Sequence, residues 1–303
     1  MPTPEHLARA LWTLFEPIHA VTYFSPESRQ AFADIGLTRY WDGYFAGRSA
    51  PLGPISGAPV VAIFSGFAPP LVTRALPSVW QTAEPNQVID ARAAGAAATL
   101  RRLFDDEAAT RRAAEALAPI AAAVDTIGRP LAAANRALPI DDDPYRSLWQ
   151  STATLREHRG DGHVVALVTE QLGGLSSIVL RTALDLDAAT LQRARGWSDD
   201  EWMAEHTALT TRGLIDPNGR ASAAGIAALE RAEALTNRLA AQPWATVDAR
   251  HLLAVAELLA PLAHACQPIY PFPNPIGMPV PWNPSADPAG LTISPAPTPS
   301  AGG

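Results

Sequence analysis

The chain has 303 residues, of which 48% are hydrophobic and 17% charged, and its 23 basic and 30 acidic side chains give a formal net charge of −7. This length allows one large or two medium domains with a buried core. All 23 basic residues are arginine, which excludes Schiff-base lysine chemistry, pyridoxal phosphate attachment and a phosphate-loop lysine. The single cysteine, Cys266, excludes an intramolecular disulfide and a multi-cysteine metal site.

The start of the chain has no basic segment followed by an apolar run, so it does not resemble a secretory signal. No window approaches 18 uninterrupted apolar residues, so no membrane span is expected. Together with the single cysteine, these features predict a cytoplasmic protein that does not bind a membrane.

Helix start signals follow one another along the chain and predict an all-α fold. Thr3, Ser25 and Asp143 each place a capping oxygen directly before a proline, which is favoured at the first helical position. Ser198 and Glu201 have the spacing of a capping box. The predicted helices span residues 4–20, 26–35, 69–80, 87–104, 106–125, 144–158, 162–172, 199–212, 222–241 and 248–264.

The helices divide into an aromatic-rich half at residues 1–140 and a second half at residues 141–266. Leu11-Trp12 and Leu148-Trp149 each open a helix, and a Gly-Leu pair follows both at nearly the same distance. Two interpretations remain open. The halves are an internal duplication that packs as a pseudo-dimer, or the match is a coincidence between Leu- and Trp-rich helices.

The segment at residues 198–241 has the pattern of a winged helix with a small wing hairpin. A predicted helix stops at Gly213, the apolar pair Leu214-Ile215 and a turn follow, and Ser222 caps a long helix. The run Thr211-Arg212-Gly213-Leu214-Ile215, with Ala223-Ala224-Gly225, resembles the recognition helix, wing and dimer helix of regulators of the multiple-antibiotic-resistance type. This resemblance implies DNA as a partner and a homodimer.

The charge of the predicted recognition helix opposes DNA binding. The stretch from Ser198 to Arg212 contains one arginine and four acidic residues, Asp199, Asp200, Glu201 and Glu205. A helix that reads DNA has to meet phosphates with basic side chains. DNA binding through this helix is therefore expected to be weak or lost.

A second resemblance covers residues 7–262. Its carrying segments are Tyr40-Trp41-Asp42-Gly43-Tyr44-Phe45-Ala46-Gly47-Arg48-Ser49-Ala50-Pro51-Leu52-Gly53, Arg74-Ala75-Leu76-Pro77-Ser78-Val79-Trp80 and Leu155-Arg156-Glu157-His158-Arg159-Gly160-Asp161-Gly162-His163. They are similar to a family of mostly uncharacterised actinobacterial proteins with a helix-turn-helix-like fold. The resemblance implies a fold and no general activity.

The end of the chain, residues 267–303, is predicted to be an extended or disordered tail. Eleven of the 29 prolines lie there, and proline removes backbone donors and breaks helices. The aromatic residues Tyr270, Phe272 and Trp282 would allow the first part of this tail to dock on the body of the protein.

The densest polar cluster, residues 156–163, falls at a predicted break between two helices. His158 and His163 would face one cavity as general acid or base, with Glu157 or Asp161 as the orienting carboxylate, and Arg159 is a candidate ligand contact. The alternative is a capped, salt-bridged turn. No histidine or cysteine spacing predicts a metal site.

Aromatic residues concentrate between Trp12 and Trp80 and predict a ligand pocket. Tyr40, Trp41, Tyr44 and Phe45 recur at helical spacing before Arg48, so a flat apolar ligand could lie among the rings with Arg48 as counter-ion. The alternative is an aromatic core in which Arg48 caps a helix. His19 is a further candidate ligand contact, or else a core histidine.

The sequence thus favours a protein that binds a small aromatic or apolar molecule, as a ligand-responsive regulator with weak or lost DNA binding. The alternative is a biosynthetic enzyme that re-uses the fold for acid–base chemistry at His158 and His163. Such an enzyme would work without a cofactor or with a borrowed one, because no cofactor motif is present and no cofactor is identified.

Overall fold

A computed structural model describes residues 3–270, 274, 276–278 and 280–287. These residues are largely helical, as predicted. The α-helices are α1 (Pro4–Phe24), α2 (Pro26–Asp34), α3 (Tyr40–Ser49), α4 (Gly57–Phe64), α5 (Pro69–Ala75), α6 (Pro85–Leu103), α7 (Glu107–Ala122), α8 (Pro130–Arg136), α9 (Pro144–Thr169), α10 (Gly174–Leu184), α11 (Ala188–Arg195), α12 (Asp199–Thr211), α13 (Ala223–Ala240) and α14 (Ala249–Cys266).

The predicted helix starts are confirmed by side-chain caps. Thr3 accepts a hydrogen bond from the backbone of α1, Ser25 does so for α2, and Asp143 accepts two at the start of α9. Ser198 and Glu201 form the predicted capping box of α12. These short-range signals are reliable because each cap satisfies amide groups that the first turn of a helix leaves unpaired.

The main core lies between α1, α6, α7, α9 and α14. Its largest fully buried side chains include Trp149, Tyr145, Leu11 and Leu14. Helix α9 contacts α1, α6, α7, α8 and α13, so it is the central element of the protein. A second core joins α2 to α5 around Phe45, and a third joins α10 to α13 and the end of α9.

Helix α9 corrects the predicted break at residues 159–161. The chain runs as one helix from Pro144 to Thr169, through Gly160 and Gly162. Glycine in a helix interior costs about 1 kcal/mol relative to alanine, but burial can outweigh that cost. Gly162 packs closely against α13, where an added Cβ would stand 3.4 Å from Leu239 Cβ.

Five helices lie outside the predicted spans: α3, α4, α8, α10 and α11. They have only 7 to 11 residues, so their apolar periodicity is short, although the aromatic residues of α3 were predicted to recur at helical spacing. The two glycines matched by the predicted repeat lie in different kinds of element. Gly36 follows α2 and has a φ of +87°, whereas Gly174 is the first residue of α10. The pseudo-dimer therefore gains no support from the order of the helices.

The segment α10 to α13 contains the predicted winged-helix pattern and is called the helix-turn-helix segment below, after that prediction. The bounds of α12 and α13 lie within one residue of the predicted ones. Gly213 follows α12 with a φ of +73°, and Ser222 caps α13 through the Gly225 amide. At the predicted wing, Ile215 and Ala221 form one isolated antiparallel bridge, and no strand occurs among the described residues. The wing hairpin stays a prediction.

The described part of the predicted tail lies on α1. The Tyr270 hydroxyl donates to the Pro17 carbonyl, and the Trp282 amide donates to Thr13 Oγ1 over 2.9 Å. Both aromatic side chains and Met278 are buried in the main core. The prediction of disorder for residues 288–303, and Phe272, lie outside the described residues.

Among the described residues, the stretch Ala249–Ile269 is long and apolar enough to cross a membrane, and α9 with α10 passes the same test as a strongly bent pair. The first stretch contains α14, whose buried residues Leu252, Val255 and Leu259 belong to the main core. Its apolar character therefore has an explanation in packing.

Candidate ligand site

A cavity opens between α1, α3, α6 and α9. It holds about 310 Å³ of space, part of it open to solvent. Its wall consists of His19, Thr22, Tyr23, Phe32, Gly43, Tyr44, Gly47, Arg48, Arg92, Asn135, Trp149, Ala153 and Glu157. A neighbouring depression of about 360 Å³ shares five of these residues and extends to Arg29 and Tyr40.

Two glycines of α3 shape the cavity. An added Cβ at Gly43 would lie 3.0 Å from the Phe32 ring, and one at Gly47 would lie 2.6 Å from it. The absence of these side chains lets Phe32 pack directly on the helix. Between the two glycines, Tyr44 lies over the cavity with its ring 5.0 Å from that of Tyr23.

The four aromatic residues predicted to bind a ligand all belong to α3 but lie on two different sides of it. Tyr44 lines the cavity and Tyr40 lines the neighbouring depression. Phe45 is fully buried in the second core, and Trp41 stacks on it at 5.6 Å between ring centroids. The aromatic-core interpretation therefore holds for Phe45 and its neighbour Trp41, whereas ligand contact by Tyr40 and Tyr44 stays a prediction.

Arg48 lies in the cavity wall, but a carboxylate of the protein already pairs with it. Its guanidinium donates to both Glu157 carboxylate oxygens, over 2.9 and 3.0 Å. Arg156 donates to Glu157 Oε2 over 2.9 Å. Burial alone would raise the pKa of Glu157, but Arg156 and Arg48 hold it far below its ordinary value. The predicted role of Arg48 as a free counter-ion is therefore not available in this arrangement.

His19 contributes a buried nitrogen without a hydrogen-bond partner. The residue is 3% exposed, its ring stacks on Trp149 at 6.0 Å, and Nδ1 has no partner among the described residues. The nearest carboxylate oxygen, Glu16 Oε1, is 3.9 Å away, too far for a hydrogen bond. Burial lowers the pKa of His19, so the imidazole is neutral at pH 7.

Arg92 extends from α6 into the wall and has only neutral partners. Its guanidinium donates to the Gly47 carbonyl over 3.0 Å, to Asn135 Oδ1 over 2.9 Å and to Gln150 Oε1 over 3.4 Å. Its Nε has no partner among the described residues. The guanidinium carbon lies 5.2 Å from the centre of the Trp149 ring, and Arg92 as a whole is 4% exposed.

The two histidines predicted as acid and base do not line the cavity and have different partners. His158 Nε2 contacts the Arg129 guanidinium, and His163 Nδ1 is 3.0 Å from Thr236 Oγ1 on α13. Burial lowers the pKa of His158 to about 3, with help from Arg129, and lowers that of His163 to about 4. The shared cavity predicted for them depended on the break that α9 lacks.

Asp161 and Arg159 are also engaged elsewhere. Asp161 Oδ2 accepts the Ala132 amide over 3.0 Å, so this carboxylate caps α8 across space. Arg159 donates to Asn237 and Glu233 on α13, each over 2.8 Å. Of the polar cluster at residues 156–163, only Glu157 reaches the cavity wall. The acid–base roles stay predictions.

The sequence reasoning missed Arg92, Trp149, Asn135 and Tyr23. A signal existed for Arg92, because it follows Val88 by four residues and precedes Ala96 by four, on the buried face of α6. A lone arginine on an apolar helix face points inward. The other three come together only through long-range packing. Among the described residues, no group of three metal-ligating side chains occurs.

The helix-turn-helix segment contacts the cavity region through residues 65–68. Trp197 Nε1 donates to the Gly66 carbonyl over 3.0 Å, and the Ala68 amide donates to the Arg195 carbonyl over 2.9 Å. The outward residues of α12 include Asp199, Asp200, Glu201 and Met203. The first turn of this helix therefore presents negative charge to solvent.

Comparison with known proteins gives one match. No curated protein and no solved structure matches the chain. A family model described as a helix-turn-helix family matches residues 8–271, which include the cavity and α10 to α13. The chain therefore belongs to this helix-turn-helix family.

Proposed function

We propose that the protein is a ligand-responsive regulator that binds a small aromatic or apolar molecule in the cavity beside α3. The observation that supports this most strongly is His19 Nδ1, a buried nitrogen without a partner at a cavity walled by rings. Buried polar atoms normally have partners, and an unpaired one costs about 1–3 kcal/mol. A ligand with a hydroxyl or amide group would remove that cost.

A chain of ring contacts could carry the response to the helix-turn-helix segment. Tyr44 in the cavity wall lies 5.4 Å from Phe67, and the Arg195 guanidinium lies 4.5 Å from the same ring. A ligand that moves Tyr44 would press on Phe67 and so on the contact with α11. Membership of a helix-turn-helix family makes DNA the natural partner of that segment.

DNA binding in the proposal is weak, because the outward face of α12 is acidic. A neutral or basic wing, including the exposed Arg220, would have to supply the phosphate contacts. The enzyme alternative at His158 and His163 has no observation in its favour, since these side chains contact Arg129 and Thr236 away from the cavity.

The test is binding of 2-naphthol, a flat probe with one hydroxyl group, measured by calorimetry. Wild type should bind it. Ala153→Leu, which fills the cavity wall, should abolish binding, whereas Ala204→Leu on the exposed side of α12 should not. His19→Phe keeps the ring and removes Nδ1, so it should weaken binding. Equal affinity in all variants that retain native circular dichroism would contradict the proposed site.

A further inference from the structure

Arg92 differs from three other buried arginines of the protein in what neutralises it. Arg48 and Arg156 share Glu157, and Arg159 pairs with Glu233. Among the described residues, no carboxylate lies within ion-pair distance of Arg92, and its acceptors are one backbone carbonyl and two side-chain amides. A buried charge is costly unless it is paired with an opposite charge.

The surroundings hold Arg92 in place and leave two of its five N–H groups without an acceptor in the described part of the chain. Asn135 donates to the Leu131 carbonyl over 2.9 Å, and Gln150 donates to the Asn135 carbonyl over 3.0 Å, so both amide oxygens are fixed toward the guanidinium. Nε has no acceptor among the described residues, and Nη1 uses one of its two N–H groups. Burial lowers the pKa of Arg92 to about 10, opposed by Glu157 and Tyr23, so the group is still a cation at pH 7.

Arg92 places a positive charge beside the aromatic side chains that line the cavity. Arg92 and His19 both lie against the Trp149 ring, and both line the cavity. A ligand in this cavity would lie beside a guanidinium with unpaired N–H groups and an imidazole with an unpaired nitrogen. The same wall contains the rings of Tyr23, Phe32 and Tyr44, with the Tyr23 ring 5.3 Å from that of His19.

We infer that the cavity takes a small, flat monoanion whose carboxylate, or a similar singly charged group, accepts a hydrogen bond from Arg92. This inference rests on the proposed function and specifies its ligand class. A single negative charge matches Arg92, which lines the cavity and has no carboxylate within ion-pair distance, while Glu157 in the same wall disfavours a multiply charged ligand. The ring system of the ligand would lie against Tyr23 and Tyr44.

The experiment compares 2-naphthoate with 2-naphthamide, which have the same shape and differ in charge. Wild type should bind the carboxylate at least about tenfold more tightly by calorimetry, as a hydrogen bond to a charged group predicts. Arg92→Gln should bring the two affinities close together while changing that of the amide little. Arg101→Gln, the same substitution on the outer side of α6, should keep the preference.

A second measurement needs no variant and covers the case in which Arg92→Gln does not fold. The pKa of the carboxyl group of 2-naphthoate, labelled with ¹³C and bound to wild type, should fall below its value in water because Arg92 stabilises the anion. An unchanged or raised pKa would overturn the inference. Equal affinity for the two probes would overturn it while leaving the cavity as a ligand site, whereas failure of both to bind would overturn the proposed function as well.

Discussion

The cavity region and the helix-turn-helix segment handle charge in opposite ways. In the cavity wall, the Arg48–Glu157 ion pair is buried, with side chains that are 9% and 3% exposed. In the helix-turn-helix segment the Arg181–Asp185 pair is 42% and 38% exposed. Buried pairs fix geometry and are costly to break, whereas exposed pairs contribute little. The comparison indicates that precise placement of polar groups matters at the cavity.

The largest expected effect comes from breaking a buried pair. Glu157→Ala leaves the Arg48 and Arg156 guanidinium groups without their shared carboxylate and should lower the free energy of unfolding by about 3–5 kcal/mol. Asp185→Ala, which breaks the exposed pair, should cost less than about 1 kcal/mol. Urea denaturation measures both. Equal costs would remove the contrast between the two regions.

The contact between the two regions can be tested at Gly174. An added Cβ there would stand 1.8 Å from the Ser65 carbonyl oxygen, which is backbone and cannot swing aside. Gly174→Ala should therefore cost at least about 1–3 kcal/mol. The neighbouring Gly173→Ala is a matched control, because its Cβ would meet Ser176 Oγ at an ordinary 3.5 Å. Similar melting temperatures for both variants would contradict the described contact.

A pH effect should sharpen the contrast further. Burial raises the pKa of Asp161 from 3.8 to about 7 in the folded protein. The folded state thus binds this proton more tightly than the unfolded state, so the stabilisation is fully present below about pH 4 and is lost as the pH rises toward 7. Asp161→Asn should remove this decline in denaturant titrations across that range. Asp125→Asn, an exposed control, should leave it in place.

The smallest expected change concerns DNA. Asp200→Arg reverses one exposed charge on α12 and should raise the affinity for a DNA duplex several-fold at low salt, with a steeper salt dependence, because a new phosphate contact releases counterions. Fluorescence anisotropy with a labelled duplex measures this. Asp34→Arg, on the exposed part of α2, provides the control for total charge. The same gain in both variants would show that α12 does not face the DNA.

Local signals predicted much of the fold. Caps at Thr3, Ser25, Asp143 and Ser198 mark helix starts because they depend on residues two or three positions apart. The break expected near Gly160 was wrong, since the packing of α9 against α1, α6, α7, α8 and α13 outweighs the low helix propensity of glycine. No local pattern reports such a tertiary contact.

The candidate site was predicted less completely than the fold. Tyr44, Arg48, His19 and Glu157 were named from the sequence, and all four line the cavity. The pairing of Arg48 with Glu157 joins residues 109 positions apart, so the sequence could not show that Arg48 is already neutralised. In our proposal, Arg92 is the counter-ion of the ligand, a role that the sequence analysis predicted for Arg48.

The central claim is that a ligand in the cavity alters the helix-turn-helix segment. Hydrogen–deuterium exchange of the full chain, with and without saturating 2-naphthoate, tests it most directly. We expect slower exchange in α1 and α3 around the cavity and a changed rate at residues 65–68 and in α10 and α11. Protection confined to the cavity would contradict the coupling, and no change anywhere would contradict the ligand site itself.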